Sequence, residues 1–171
     1  IVVHVAENLY DAIPDDPARE VLHHAKTAAL SEKMVENKWL GNKTGIGFYK
    51  TVKGANGEKE FWPLNLETMQ HEAPVKPRFD SVSKHRKVES LGERIRLLIN
   101  EPDRAGQFLW HMHAFYLAYA SNRVPEITDT LVNVDNAQKW GFAHEMGPFE
   151  IWDAIGVAET IPRFEAAGDP V

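Results

Sequence analysis

Three glycines fall within seven residues, Gly41, Gly45 and Gly47, between a stretch of helical spacing and an aromatic run. The segment is Gly41-Asn42-Lys43-Thr44-Gly45-Ile46-Gly47-Phe48-Tyr49-Lys50. Glycine takes positive φ without steric cost and lets another backbone come close. The spacing therefore predicts a helix ended by Gly41, with Trp39 and Leu40 beneath the cap, and then a loop that turns, packs and turns again. Lys43, Thr44 and Gly45 are the candidates for a direct contact in this loop. A lysine beside glycine amides suits an anionic group such as a phosphate, as a point charge. The competing reading has Thr44 capping local backbone and Lys43 solvated, because the loop lacks the length and helix junction of a phosphate cradle.

A second punctuated segment is Gly141-Phe142-Ala143-His144-Glu145-Met146-Gly147-Pro148-Phe149-Glu150-Ile151-Trp152-Asp153-Ala154-Ile155-Gly156-Val157. Gly147 is expected to break the preceding helix, Pro148 to open the next and Gly156 to end it. Phe149, Trp152 and Ile155 recur at helical spacing as a buried stripe. Glu150 and Asp153 lie one turn apart, and read as local caps or pairs rather than an acid–base couple.

Together these segments resemble the 3-hydroxyacyl-CoA dehydrogenases. The first is similar to the Gly-x-Lys-Thr-Gly-x-Gly-Phe-Tyr signature near the end of that family's helical C-terminal domain, and the second to its Met-Gly-Pro-Phe-Glu-Leu-x-Asp-x-x-Gly motif. The resemblance implies an all-α helical bundle of the C-terminal type, and it covers most of the chain, weakest across 51–89. It also implies two successive copies of one helical unit. Residues 1–66 would be the end of a first copy plus a small β-hairpin, 67–89 a linker, and 90–171 a second copy.

Composition narrows the alternatives. The chain has 171 residues, 43% of them hydrophobic, which suffices for a core and argues against disorder throughout. A formal net charge of -6 gives no general footprint for nucleic acid. The basic run Lys84-His85-Arg86-Lys87 reads as a solvated helix face. Cysteine is absent, which removes thiol catalysis and Cys-ligated zinc and fits a cytoplasmic location. No apolar run approaches the roughly 18 residues that span a bilayer. The start, Ile1-Val2-Val3-His4, reads as a chain cut from something longer.

Along the chain, Asp16-Pro17 signals a helix over about 17–24, followed by one over about 28–38 with Leu30, Met34 and Val35 inward. Alternation at Phe48, Lys50 and Val52, then Asn56-Gly57 and Phe61-Trp62, predicts a hairpin whose second strand Pro63 confines to an edge. Helices follow at about 90–100, 103–123 (ended by Pro125), 128–141, 148–155 and 158–167. In the long one Phe108, Leu109, Met112, Phe115, Tyr116 and Tyr119 are expected inward and Ala118 outward. In the next, Leu131, Val134 and Ala137 are expected inward.

The resemblance implies oxidation of a 3-hydroxyacyl-CoA by NAD, using a His-Glu pair and a Gly-x-Gly-x-x-Gly loop in an N-terminal Rossmann domain. No such glycine triplet occurs in this chain, so no catalytic residue, no bound NAD and no turnover are expected of the 171 residues alone. The implied partners are acyl-CoA, the chain's own Rossmann domain and an enoyl-CoA hydratase/isomerase domain. The family's helical domain contributes an Asn in a Gly-Phe-x-x-Asn-Arg stretch; here Gly106 falls on the Gly and Trp110 on the Asn. Indole offers one donor and no acceptor. The second copy therefore reads as degenerate, structural, and a replacement for a partner subunit. His111 and His113 diverge by about 200° on a helix, so no metal site is expected. The rivals are a non-catalytic helical interaction domain and a related NAD-dependent hydroxyacid dehydrogenase.

Overall fold

The computed structural model describes residues 2–167; residue 1 and residues 168–171, at the outer ends of the two expected repeats, lie outside the described residues. The chain divides into two compact units, Ile1–Lys76 and Pro77–Val171.

In the first unit, α1 (Val2–Ala12) and α2 (Ala25–Glu36) flank a short 3-10 helix at Arg19–His23. Asp16-Pro17 starts that 3-10 turn and not an α-helix. The Asp16 carboxylate accepts from Ala18 N at 2.8 Å and its carbonyl from Arg19 N at 3.1 Å. The turn lies against α1 through Tyr10, which stacks on His23 at 3.9 Å and under the Arg19 guanidinium at 4.4 Å.

Gly41 does not end α2. Lys38 takes the left-handed conformation (φ 58), Trp39 N donates to Met34 O at 2.8 Å and Lys38 N to Val35 O at 2.9 Å. This paired closure satisfies the last carbonyls three residues before the first glycine. A lysine in this conformation carries a steric cost that glycine avoids. Lys38→Gly is therefore expected to stabilise the chain by about 0.5–1 kcal/mol, read as a higher urea midpoint. Met34 is buried, as expected, whereas Val35 is exposed.

The sheet is a three-stranded antiparallel meander, β1 (Tyr49–Lys53), β2 (Lys59–Asn65) and β3 (Gln70–His71). The expected hairpin is present, with Gly57 at φ 83 in its loop, but β2 is the central strand and not an edge. Pro63 is tolerated because Leu64 N, donating to Phe48 O at 2.7 Å, faces β1, so the nitrogen of Pro63 faces the other side. On that side Glu72 N donates to Pro63 O at 3.1 Å, and the return bond that an N–H at position 63 would make is forgone just beyond the two pairs of β3.

The second unit contains α3 (Asp80–His85), α4 (Leu91–Leu98), α5 (Arg104–Ile127), α6 (Leu131–Phe142), α7 (Pro148–Ile155) and α8 (Val157–Ala167). Ser90 caps α4 and Asp103 caps α5, accepting from Glu93 N at 3.4 Å and Gly106 N at 3.0 Å. The stretch 67–89 thus carries β3 and α3. In the basic run Lys84, Arg86 and Lys87 are exposed, as expected of a solvated face, but His85 is buried, and Lys84 Nζ and His85 Nε2 lie 2.7 and 2.6 Å from Glu101 Oε1. Hydrogen bonds from Lys84 and His85 hold the Glu101 carboxyl below the usual carboxylate range. A carboxyl lowered on folding contributes stability above its unfolded pKa, and this is lost as pH falls through the folded value. Acidification below about pH 4 should lower the melting temperature, and Glu101→Gln should blunt that pH dependence in a circular-dichroism series.

The core gathers Ile99, Ala114, Leu117, Ala118, Ile151, Trp152, Ile155 and Phe164. Helix α5 differs from expectation in length and in face. Pro125 lies inside its last turn, where the missing N–H costs one bond and Thr128 N still closes on Val124 O at 3.0 Å. Gly106, Ala114, Leu117, Ala118 and Ala120 are buried, and Leu109 and Tyr116 pack against the core as expected. Phe108, Met112 and Phe115 are 61%, 53% and 51% exposed, and Tyr119 is also exposed. On α6, Val134 is buried but Leu131 and Ala137 are exposed.

Candidate functional site

The glycine loop is built by backbone closure. Gly41 (φ 79) donates to Ile46 O at 2.9 Å, Thr44 N to Gly41 O at 3.0 Å, and Gly45 takes φ 73. Gly47 is buried, and a Cβ there would stand 2.8 Å from Gly41 Cα, so the loop admits only glycine at its crossing. Thr44 Oγ1 accepts from Leu40 N at 3.1 Å and donates toward Ile46 O at 3.0 Å. Its hydroxyl is thus engaged with local backbone. Lys43 and Gly45 are exposed at the tip, and Phe48 and Tyr49 lead out with exposed rings. The loop runs from helix into strand, the reverse of the strand-to-helix junction that aims amides at a nucleotide phosphate. The residues present therefore do not fit NAD in the manner of a Rossmann loop.

The junction before α7 is an interlocked double cap. Helix α6 ends at Ala143 in the left-handed conformation (φ 56), and not at Gly147. Gly147 (φ -84) is instead the N-cap of α7, with Pro148 at its first position. Having no side chain, Gly147 cannot accept from the helix amides. Asp135, from α6, takes that role and accepts from Phe149 N at 2.8 Å. Glu150 reaches back to accept from Gly147 N at 2.9 Å and pairs with Lys139 through its other oxygen. Hydrogen bonds from Lys139 and the Gly147 amide hold Glu150 below the usual carboxylate range, while burial pushes Asp135 above it. Asp153 is exposed and no acid–base couple forms with Glu150. Gly156 (φ 94) closes α7, donating to Trp152 O at 3.0 Å, and the buried Trp152 Nε1 donates to Thr160 Oγ1 at 2.7 Å. Asp135 was not among the residues singled out from sequence; its role depends on a contact 14 positions away that no local pattern signals.

Trp110 is half-buried on α5 and packs against the core. The Arg163 guanidinium lies 3.5 Å over its ring, and Phe164 flanks it at 5.3 Å. Arg163 is itself anchored by Asn100 Oδ1 at 3.1 Å and Ile99 O at 3.3 Å. The indole is therefore held between cation and aromatic surface. His113 Nδ1 lies 2.8 Å from Leu109 O, and His111 is exposed. Among the described residues no group of three or more His, Cys, Asp or Glu could hold a metal ion, and no helix is long and apolar enough to cross a membrane.

The chain is similar to proteins of fatty-acid oxidation. It is 33% identical over 165 residues to the "Probable 3-hydroxyacyl-CoA dehydrogenase" of Bacillus subtilis (strain 168), covering 96% of this chain and 20% of that protein. Over 148 residues it is 28% identical to the "Putative fatty acid oxidation complex trifunctional enzyme" of Rickettsia felis, covering 86% and 18% of the two chains. The corresponding Rickettsia prowazekii protein is 24% identical over 148 residues. The chain is thus a homologue of one segment of 3-hydroxyacyl-CoA dehydrogenase and trifunctional oxidation enzymes, and spans about a fifth of their length. No family model matches it, and no solved structure does.

Proposed function

We propose that these residues are the tandem helical region of a longer NAD-dependent 3-hydroxyacyl-CoA dehydrogenase of fatty-acid β-oxidation, acting in the cytoplasm. The observation that carries this reading is the 33% identity that runs through 96% of the chain and so through both glycine-punctuated segments. In the whole enzyme the hydroxyl carbon gives hydride to NAD and the hydroxyl proton goes to a base; both the nucleotide site and the base lie outside this chain. Residues 1–66 serve as the end of a first helical repeat, 67–89 as a connection, and 90–171 as a second repeat that supplies cleft wall and packing surface. Lys43, Thr44 and Gly45 are the residues of the loop offered to the acyl-CoA. Trp110, clamped by Arg163, makes the second repeat structural and not chemical. The exposed stripe Phe108, Met112, Phe115 and Tyr119 supports a packing role, since such a face is costly to leave in water.

The test is an assay of the full-length protein with NAD against 3-hydroxyacyl-CoA and against free hydroxy acids. Reduction of NAD with the thioester alone is expected. Preference for free acids would favour a different hydroxyacid dehydrogenase, and no turnover would favour a non-catalytic interaction domain. Turnover by the isolated 171 residues would overturn the assignment of chemistry to the missing part.

A further inference from the structure

The sheet of the first unit has one face that its own fold leaves unused. Tyr49, Thr51 and Lys53 of β1 stand opposite Pro63, Phe61 and Lys59 of β2, and alternation puts all six on the same side. The other side carries Val52, Trp62 and the buried Leu64. Tyr49 and Phe61 are 61% and 60% exposed, diagonal neighbours across the strands. One pair step along, about 7 Å away, Lys53 and Lys59 face each other directly. Like charges directly opposite each other destabilise a sheet unless something lies between them. Neither lysine has an ion-pair partner among the described residues. Of the acids next to Lys59 in the chain, Glu58 accepts from Asn56 N at 3.0 Å and Glu60 from Trp62 Nε1 at 2.8 Å.

We propose that this face binds a nucleoside phosphate, its base stacked on Phe61 and Tyr49 and its phosphates between Lys53 and Lys59. Every base presents a π-face that stacks on exposed aromatics, and paired ammonium groups hold phosphate oxygens as point charges. The aromatic-to-lysine step matches a ligand that is flat at one end and anionic at the other. A purely acidic partner would leave the rings uncovered, and a purely apolar one would leave the lysine pair repelling. Because acyl-CoA and NAD are themselves nucleoside phosphates, the inference rests on the proposed function and adds to it a place on the hairpin; turnover by the full-length protein without ADP shifts at 49–53 and 59–63 would sink the site and leave the enzymatic reading standing.

The probe is ADP, titrated into the full chain without hydroxyacyl substrate and followed by amide chemical shifts, with adenosine, inorganic pyrophosphate and oligo(dA) as separate arms. ADP should shift the amides of 49–53 and 59–63 and bind more weakly as salt is raised. Phe61→Ala and Phe61→Leu should each weaken ADP binding about tenfold, as should Lys53→Glu. Because Phe61 is exposed, its two variants should keep close to the parent's melting curve, and Lys53→Glu, which replaces the like-charge pair by an opposite-charge one, should not lower it. The proposal is overturned if millimolar ADP leaves those amides unmoved, or if all three variants bind like the parent. It is also overturned if pyrophosphate binds as tightly as ADP, which needs charge alone, or if only oligo(dA) binds.

Discussion

Gly147→Ala is expected to cost about 3 kcal/mol, and to lower the melting temperature of the second unit by on the order of 15 °C. The backbone angle at Gly147, φ -84, is open to any residue, so conformational strain is not the reason. The reason is contact. An added Cβ would stand 2.3 Å from Asp135 Cα and from Asp135 Oδ1, where α6 crosses the start of α7. A backbone atom cannot swing aside as a flexible side chain does, so α6 must retreat, and Asp135 then loses Phe149 N. The same motif supplies the control. Gly141 lies inside α6 with nothing within 4 Å of its missing Cβ. Gly141→Ala should therefore stabilise, by up to about 1 kcal/mol, through helix propensity alone. Equal effects from the two substitutions, in thermal or urea unfolding, would contradict the crossing geometry.

Asp135 carries the second large effect. Asp135→Ala should destabilise by about 2–3 kcal/mol, because it strips the acceptor from an α7 amide that stays buried. Asp135→Asn keeps an oxygen in place and removes a buried charge, so at neutral pH it should fall within about 1 kcal/mol of the parent. Burial raises this carboxyl above its ordinary range. A carboxyl raised on folding contributes stability that is fully present below its unfolded pKa and lost as pH rises through the folded value. The parent should thus lose ground to Asp135→Asn as pH rises above about 4, the opposite trend to that expected from Glu101. Urea unfolding of parent and variant across pH 3–7 reads the difference directly.

Both effects arise from residues whose partners are distant in sequence, and this marks what was legible in the chain. Pro148 at a helix start, Gly156 at a helix end and the alternation around Asn56-Gly57 are local rules, and the structure follows them. Where the local rule had a rival, it failed. Lys38 closed α2 before Gly41 because the two closing hydrogen bonds formed there, and Ala143, left-handed at φ 56, ends α6 before Gly147. Pro63 sat in a central strand because its nitrogen faces away from β1, on the side where the ladder with β3 is only two pairs long and Glu72 N still reaches its carbonyl.

The clearest failure concerns α5. Its apolar residues cover a broad arc, so hydrophobic periodicity favours the side that carries the larger ones. Packing chose the face of Ala114, Leu117 and Ala118, with Leu109 and Tyr116 at its margin, and left Phe108, Met112 and Phe115 outside. Likewise Trp110 was identified by position, but only Arg163, 53 residues later, shows what covers its ring.

The amino-acid sequence alone determined the helical class, the hairpin and the two glycine-punctuated segments. These depend on backbone angles and on neighbours within a few positions. Tertiary structure decided which face of α5 is buried, which residue caps α7 and which lysines oppose each other on the sheet. Those outcomes depend on atoms from different elements competing for one space, and no local pattern in the chain encodes that competition.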